Sequence, residues 1–155
     1  MSANTLKLSA FINPEHSPGD DYAERMVEHV EQVTVARSLG YEGIAIGHHM
    51  AFGPSVWLPP METLCRLAAA AEGMSMATCM LVLPLFHPVH VAQQAAYLDL
   101  LTGGQFTLGV APGWQRDEFA AVGVDHHRRI SRFTEAVEVI RRLWSGQPVE
   151  FKGRH

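Results

Sequence analysis

A chain of 155 residues is long enough to close one domain around a core of its own. Its 12 basic and 16 acidic residues leave a formal net charge of −4, which offers nucleic acid no attraction, and the basic residues are scattered rather than grouped. No apolar run approaches the roughly 20 residues of a membrane-spanning helix, and the N-terminal stretch has no signal-peptide core, so neither a membrane nor a secretory route is expected.

The expected single domain, residues 1–155, reads as a strand followed by a helix, four times over. Leu6–Ile12 is the first predicted strand, closed by the turn signal Asn13-Pro14. Glu15–Asp20 is polar and contains Pro18-Gly19, which predicts a loop. Asp20 or Asp21 can cap the next helix by accepting a bond from an orphan backbone N–H. That helix carries Tyr22, Met26, Val30, Val33 and Leu39 on one stripe and stops at Gly40. Gly43–Ile46 is the second strand, followed at once by Gly47-His48-His49, and Met50–Leu58 is an aromatic-rich loop. Pro59-Pro60 opens a second helix, where proline's missing N–H costs nothing, with the stripe Met61, Leu64, Leu67, Ala71 and a stop at Gly73.

Met76–Leu83 is apolar almost throughout, as a strand buried on both faces should be. His87-Pro88 opens the third helix, with Val91, Ala95, Leu98 and Leu101 in its stripe, and Gly103-Gly104 can end it in the left-handed conformation. Gln105–Val110 is the fourth strand, running into Ala111-Pro112-Gly113-Trp114. Trp114–Val124 reads as a loop with one helical turn, and Asp125–Arg129 as a His-rich entry to the last helix. That helix has Ile130, Phe133, Val137, Ile140 and Leu143 on its stripe, and Val149–His155 reads as the start of another element. Parallel strands joined by helices wind right-handed, and here the polar and special residues sit just past each strand, on the carboxyl edge where such folds bind ligands. A closed (β/α)8 barrel takes eight units and around 250 residues. The expected fold class is therefore α/β, four βα units of a TIM-type barrel that stops before its fifth strand. Cys65 and Cys79 are the only cysteines, too few for a disulfide framework, and a reducing cytoplasmic setting is expected.

Five segments, LGYEGIAIGHHM, ATCMLVLPLFHPV, LDLLTGGQFTLGVAPGW, EFAAVGVD and RFTEAVEVIRRLW, occur in the order and at the spacing of one family. Through them the sequence resembles the luciferase-like superfamily, flavin-dependent monooxygenases that include bacterial luciferase and deazaflavin-dependent relatives. The resemblance runs from about Leu6 to the end and implies the N-terminal half of a (β/α)8 barrel. It implies an oxidoreductase acting on paired donors with incorporation or reduction of molecular oxygen, with reduced FMN as cofactor and a small molecule as substrate. Deazaflavin-dependent hydride transfer is the close variant. It also implies a homo-oligomer, commonly a dimer through the second and third helices, where Ala68–Ala71 would allow close approach. The length keeps a different class open, a non-catalytic half-barrel serving folding or assembly, because barrel phosphate sites usually come from the loops after strands seven and eight. A metal-dependent barrel hydrolase is a third.

Side chains next to each other in extended chain point to opposite sides, so one of His48 and His49 is expected to face the pocket. By resemblance it is His48, lying beside the flavin and supporting proton handling, work that suits a neutral imidazole; the plain alternative is a surface turn histidine. Family members often carry an acidic residue before the pair, where this chain has Gly47. The resemblance places a bulge with a non-prolyl cis peptide at Cys79–Met80, pressing on one face of the flavin ring, so that Thr78, Cys79 and Met80 are cofactor-binding candidates. Without it, they are simply buried strand and Cys79 a small core residue. Gly113 permits close backbone approach to the cofactor, although Ala111 and Pro112 stand where relatives carry a phosphate-reaching residue or luciferase's reactive cysteine. Asn13, His49 and Trp114 are substrate-pocket candidates. His87 and His90 have a metal-like spacing but no third ligand, so no metal is expected and His87 is read as fixing a turn. His126, His127 and Arg128 read as a solvated helix start.

Overall fold

The computed structural model describes residues 6–155, so the first five residues of the expected domain lie outside the described residues. Strand β1 is Ser9–Ile12. It begins later than Leu6 because its partner begins at Gly43, opposite Ser9, and Leu6 and Leu8 are left exposed. The expected loop after it contains a two-residue strand, β2, Glu15–His16. Helix α1, Tyr22–Ser38, is capped by Asp21, whose side chain accepts from the N–H groups of Ala23 and Glu24 at 2.9 and 3.2 Å. It buries His29, Val33 and Ala36. Leu39, read as part of its stripe, is instead its C-terminal cap and 71% exposed.

Strand β3 is Gly43–Ile46, as predicted, and a second short strand, β4, Val56–Trp57, pairs antiparallel with β2. Helix α2, Pro60–Leu67, buries Met61, Leu64 and Leu67. The predicted third strand is two strands: β5, Ser75–Thr78, and β6, Leu81–Val82, separated by a cis peptide bond between Cys79 and Met80. Helix α3, Pro88–Leu101, starts on His87, whose Nδ1 accepts from the Val89 N–H at 3.3 Å. The fourth strand is divided too, into β7, Phe106–Thr107, and β8, Val110–Ala111. Helix α4, Arg116–Ala121, replaces the expected single turn, and α5, Arg129–Leu143, is the last helix, with Ile130 of its predicted stripe 54% exposed. Residues 149–155 form no helix or strand.

β1, β3, β5 and β7 make one parallel sheet in that order, and β6 pairs with β8 in parallel beyond the break. This is the parallel α/β arrangement of a TIM-type barrel, with four of its eight strands. The helices cover one face. Ile12, Ile44, Ile46 and Met76 pack there with Val33, Leu64, Leu67, Ala95 and Leu98. Leu81 and Leu83 pack with Val91, Ala136 and Ile140, seating α5 against α3. The other face carries Ser9, Gly43 and Ser75 in one row and Phe11, Ala45, Ala77 and Thr107 in the next, none but Gly43 buried. Apart from Phe11, the side chains of this face are small. A Cβ at Gly43 would meet the hydroxyls of Ser9 and Ser75, so glycine there lets these strands lie together.

Candidate functional site

The strands deliver their residues to the carboxyl edge, where aromatic rings form a continuous wall. A Cβ at Gly47 would lie 3.0 Å from the Phe11 ring and 3.4 Å from the Trp57 ring, so a larger residue there would crowd both rings. Trp57 meets His49 edge-on with centroids 4.7 Å apart, and His49 stacks on Phe52 at 4.3 Å. Trp114, arriving from the end of β8, stands 6.4 Å from His49 and 6.1 Å from Phe52. The wall thus links the ends of the first, second and fourth strands of the parallel series. Trp114 is 64% exposed, and Asn13, also exposed, accepts from the Glu15 N–H at 3.2 Å.

Both histidines of the pair line one cleft of about 620 Å³, together with Trp57, Leu81, Phe86 and His90. The alternation of extended chain does not hold past Ile46, where β3 has ended. His48 is 6% exposed and lies 5.2 Å from the Phe86 ring. Its Nδ1 accepts from the Val82 N–H at 3.2 Å. Because Nδ1 accepts, the ring proton sits on Nε2. Burial, then the neighbouring His49, push its pKa down to about 4. His48 is therefore a neutral ring that offers an N–H.

His49 is held from far along the chain. Glu118, on α4 and fully buried, has Oε1 3.0 Å from His49 Nδ1 and 2.7 Å from the Met50 N, whose N–H donates to it. Its other oxygen is buried without a hydrogen-bond partner among the described residues. The sequence reading missed Glu118. It lies inside one of the quoted segments, but nothing in local spacing ties it to a histidine 69 positions away. Phe52 and Trp57 were read only as part of a loop.

At the third strand, Thr78 is buried and its hydroxyl donates to the Gly109 carbonyl at 2.8 Å, while Cys79 and Met80 are exposed on either side of the cis bond. Gly113 has φ +72°, and a Cβ there would run into Val82 and come within 3.2 Å of Phe119. Packing alone is reason enough for that glycine. His126 lies 3.0 Å from the Trp114 carbonyl through Nε2 and meets Phe119 edge-on at 5.1 Å, so it steadies the loop that carries Trp114. His127 and Arg128 are exposed. His16 and His29, unremarked in the sequence, form a buried pair with Nε2 atoms 3.1 Å apart, joining β2 to α1. The described residues contain no group of three or more His, Cys, Asp or Glu arranged to hold a metal.

The family model described as luciferase-like monooxygenase matches residues 6–155. A relative from Streptomyces nodosus subsp. asukaensis, 4-hydroxyprotoasukamycin monooxygenase, is 32% identical over 145 residues, covering 93% of this chain and 39% of its own length. Among solved structures, the oxygenating constituent of 3,6-diketocamphane monooxygenase from Pseudomonas putida, in complex with FMN, matches with a TM-score of 0.86 at 18% identity, over 96% of this chain and 42% of its own. An F420-dependent secondary alcohol dehydrogenase, in complex with an F420–acetone adduct, matches with a TM-score of 0.80 at 23% identity, over 96% and 45%. These two likenesses concern the fold. The chain spans about two fifths of the length of each of the three proteins.

Proposed function

The chain belongs to the luciferase-like monooxygenase family, and from that premise we propose that it forms the N-terminal half of a flavin-dependent monooxygenase site, acting on a small molecule and molecular oxygen in the cytoplasm. The observation that carries the reading is the aromatic wall of Phe11, Trp57, His49, Phe52 and Trp114 along the carboxyl edge. The ring system of a flavin is flat, with an apolar dimethylbenzene end and broad faces on which aromatic side chains can pack. Past the third strand, exposed Cys79 and Met80 would offer it a floor, with the Thr78 hydroxyl tying that strand to Gly109. Reduced FMN, when bound, supplies the electrons for oxygen activation. The protein's part is to exclude water with these rings and to handle protons with the histidines. His48, kept neutral, would donate from Nε2, while Asn13, His49 and Trp114 would border the substrate. Gly113 would matter indirectly, by seating Trp114. Ala111 and Pro112 give a phosphate no side chain to bind, so this half would hold the ring and not the phosphate.

Titrating the protein with FMN and reading flavin fluorescence tests this. Quenching with a dissociation constant in the micromolar range, weakened by Trp114→Ala, is the expected result. Quenching by F420 alone would favour deazaflavin-dependent hydride transfer, the reading suggested by the likeness to the F420-dependent enzyme. No binding of either would favour a non-catalytic half-barrel.

A further inference from the structure

Two histidines share the cleft, yet their nitrogens are committed differently. His48 has its Nδ1 occupied by the Val82 N–H and can only donate from Nε2. His49 has its Nδ1 on Glu118. Oε1 of Glu118 already accepts the Met50 N–H at 2.7 Å, a distance within the range of charge-assisted bonds to a carboxylate. An oxygen acting as acceptor for one donor at that distance is placed to accept from the second as well, which puts a proton on His49 Nδ1. The Nε2 of a neutral His49 ring is then a lone pair, on a ring that lies among Phe52, Trp57 and Trp114.

We propose that Glu118 is a positioning residue that fixes His49 in the Nδ1–H tautomer, making His49, rather than His48, the proton acceptor of the site. This rests on the flavin reading above for what the proton comes from, but the geometry stands without it. When Nε2 takes a proton from a bound group, the electron pair stays on that group and His49 becomes an imidazolium. Its positive charge forms 3.0 Å from a carboxylate oxygen that is already in place, so little has to move as the charge appears. The same carboxylate fixes the loop through Met50.

The test is nitrogen-15 NMR of the histidine rings of the unliganded chain, with His49 assigned by its loss in His49→Gln. Expected in the wild type is a protonated Nδ1 and an unprotonated Nε2 for His49, the reverse of His48. Glu118→Gln keeps an acceptor at Oε1 and should retain that tautomer. Glu118→Leu removes the acceptor and should move most of the His49 population to Nε2–H while His48 keeps its pattern. A wild-type His49 with its proton on Nε2 overturns the proposal, and it does so even if Glu118→Leu fails to fold. So does a tautomer unchanged in a folded Glu118→Leu. In the flavin-loaded enzyme, His49→Gln should lower kcat by about 100-fold with KM within about twofold, the scale of a lost general base; a change in KM alone also overturns it. Failure of the NMR result leaves FMN binding untouched, and failure of FMN binding leaves the tautomer result untouched.

Discussion

At the scale of single residues, His48 carries a consequence for stability. Its pKa, about 4 in the folded chain, lies below the ordinary histidine value of 6.5. The folded state therefore binds fewer protons than the unfolded state between those two values, and acid favours unfolding there. The stabilisation is complete above about pH 6.5 and drains away as pH falls towards 4, amounting to roughly 3 kcal/mol over the whole window. A protonated ring would also turn an N–H against the Val82 N–H that it now accepts from. His16, whose pKa is lowered by burial and by His29, acts in the same direction. Urea midpoints measured between pH 7.5 and 4.5 should fall for the wild type and fall less for His48→Gln; parallel curves would show that His48 is not the group responsible. The role of such a ring is visible from the sequence only in outline. A pair of histidines past a strand points to a site, but which nitrogen is committed depends on Val82, 34 positions away.

At the scale of elements, the sequence is a good guide wherever one strand or helix meets one run of its own kind. Gly43–Ile46 is found as read, and α2 and α3 bury most of the stripes predicted for them. The break in the third strand was legible only through the family resemblance, which places a bulge with a cis bond at Cys79–Met80, where the structure has one. Hydrophobicity carries no mark of it, since Met76–Leu83 is apolar on both sides, and none of the break in the fourth strand. Nor were β2 and β4 legible, two residues each, which hold together only by meeting each other. The break has a packing signature in Gly109, where a Cβ would collide with the Thr78 carbonyl oxygen. That carbon has backbone and not a flexible side chain against it, so Gly109→Ala should destabilise by about 2–3 kcal/mol, in the upper range of overpacking. Thr78→Val, which removes only the hydroxyl's bond to Gly109, should lose about 1 kcal/mol. Urea denaturation of the two variants decides this. A neutral Gly109→Ala would mean that the strands separate there more easily than their geometry implies.

At the scale of the whole fold, the sheet of the described residues has two open edges. Among these residues β1 is paired only on the β3 side and β7 only on the β5 side, leaving rows of backbone donors and acceptors without a strand alongside. Helix surfaces offer a rival route to association. The Ala68–Ala71 run, expected to admit a second chain, is largely spent on this chain's own core, where Ala71 is buried and Ala68 and Ala70 pack against it. The available apolar helix surface lies instead on α3, with Tyr97 54%, Leu100 74% and Leu101 43% exposed. The small side chains of the open sheet face weaken the case for a large apolar interface there, so the edges carry the argument. The chain should sediment at micromolar concentration as a dimer or larger species. The double variant Tyr97→Lys, Leu100→Lys should still do so, because it leaves the strand edges intact. Reversion of that variant to a monomer would assign the contact to α3. A wild-type chain that is monomeric and unfolds cooperatively would show that neither open edge recruits a partner, and that the rows of unpaired backbone groups are satisfied by water.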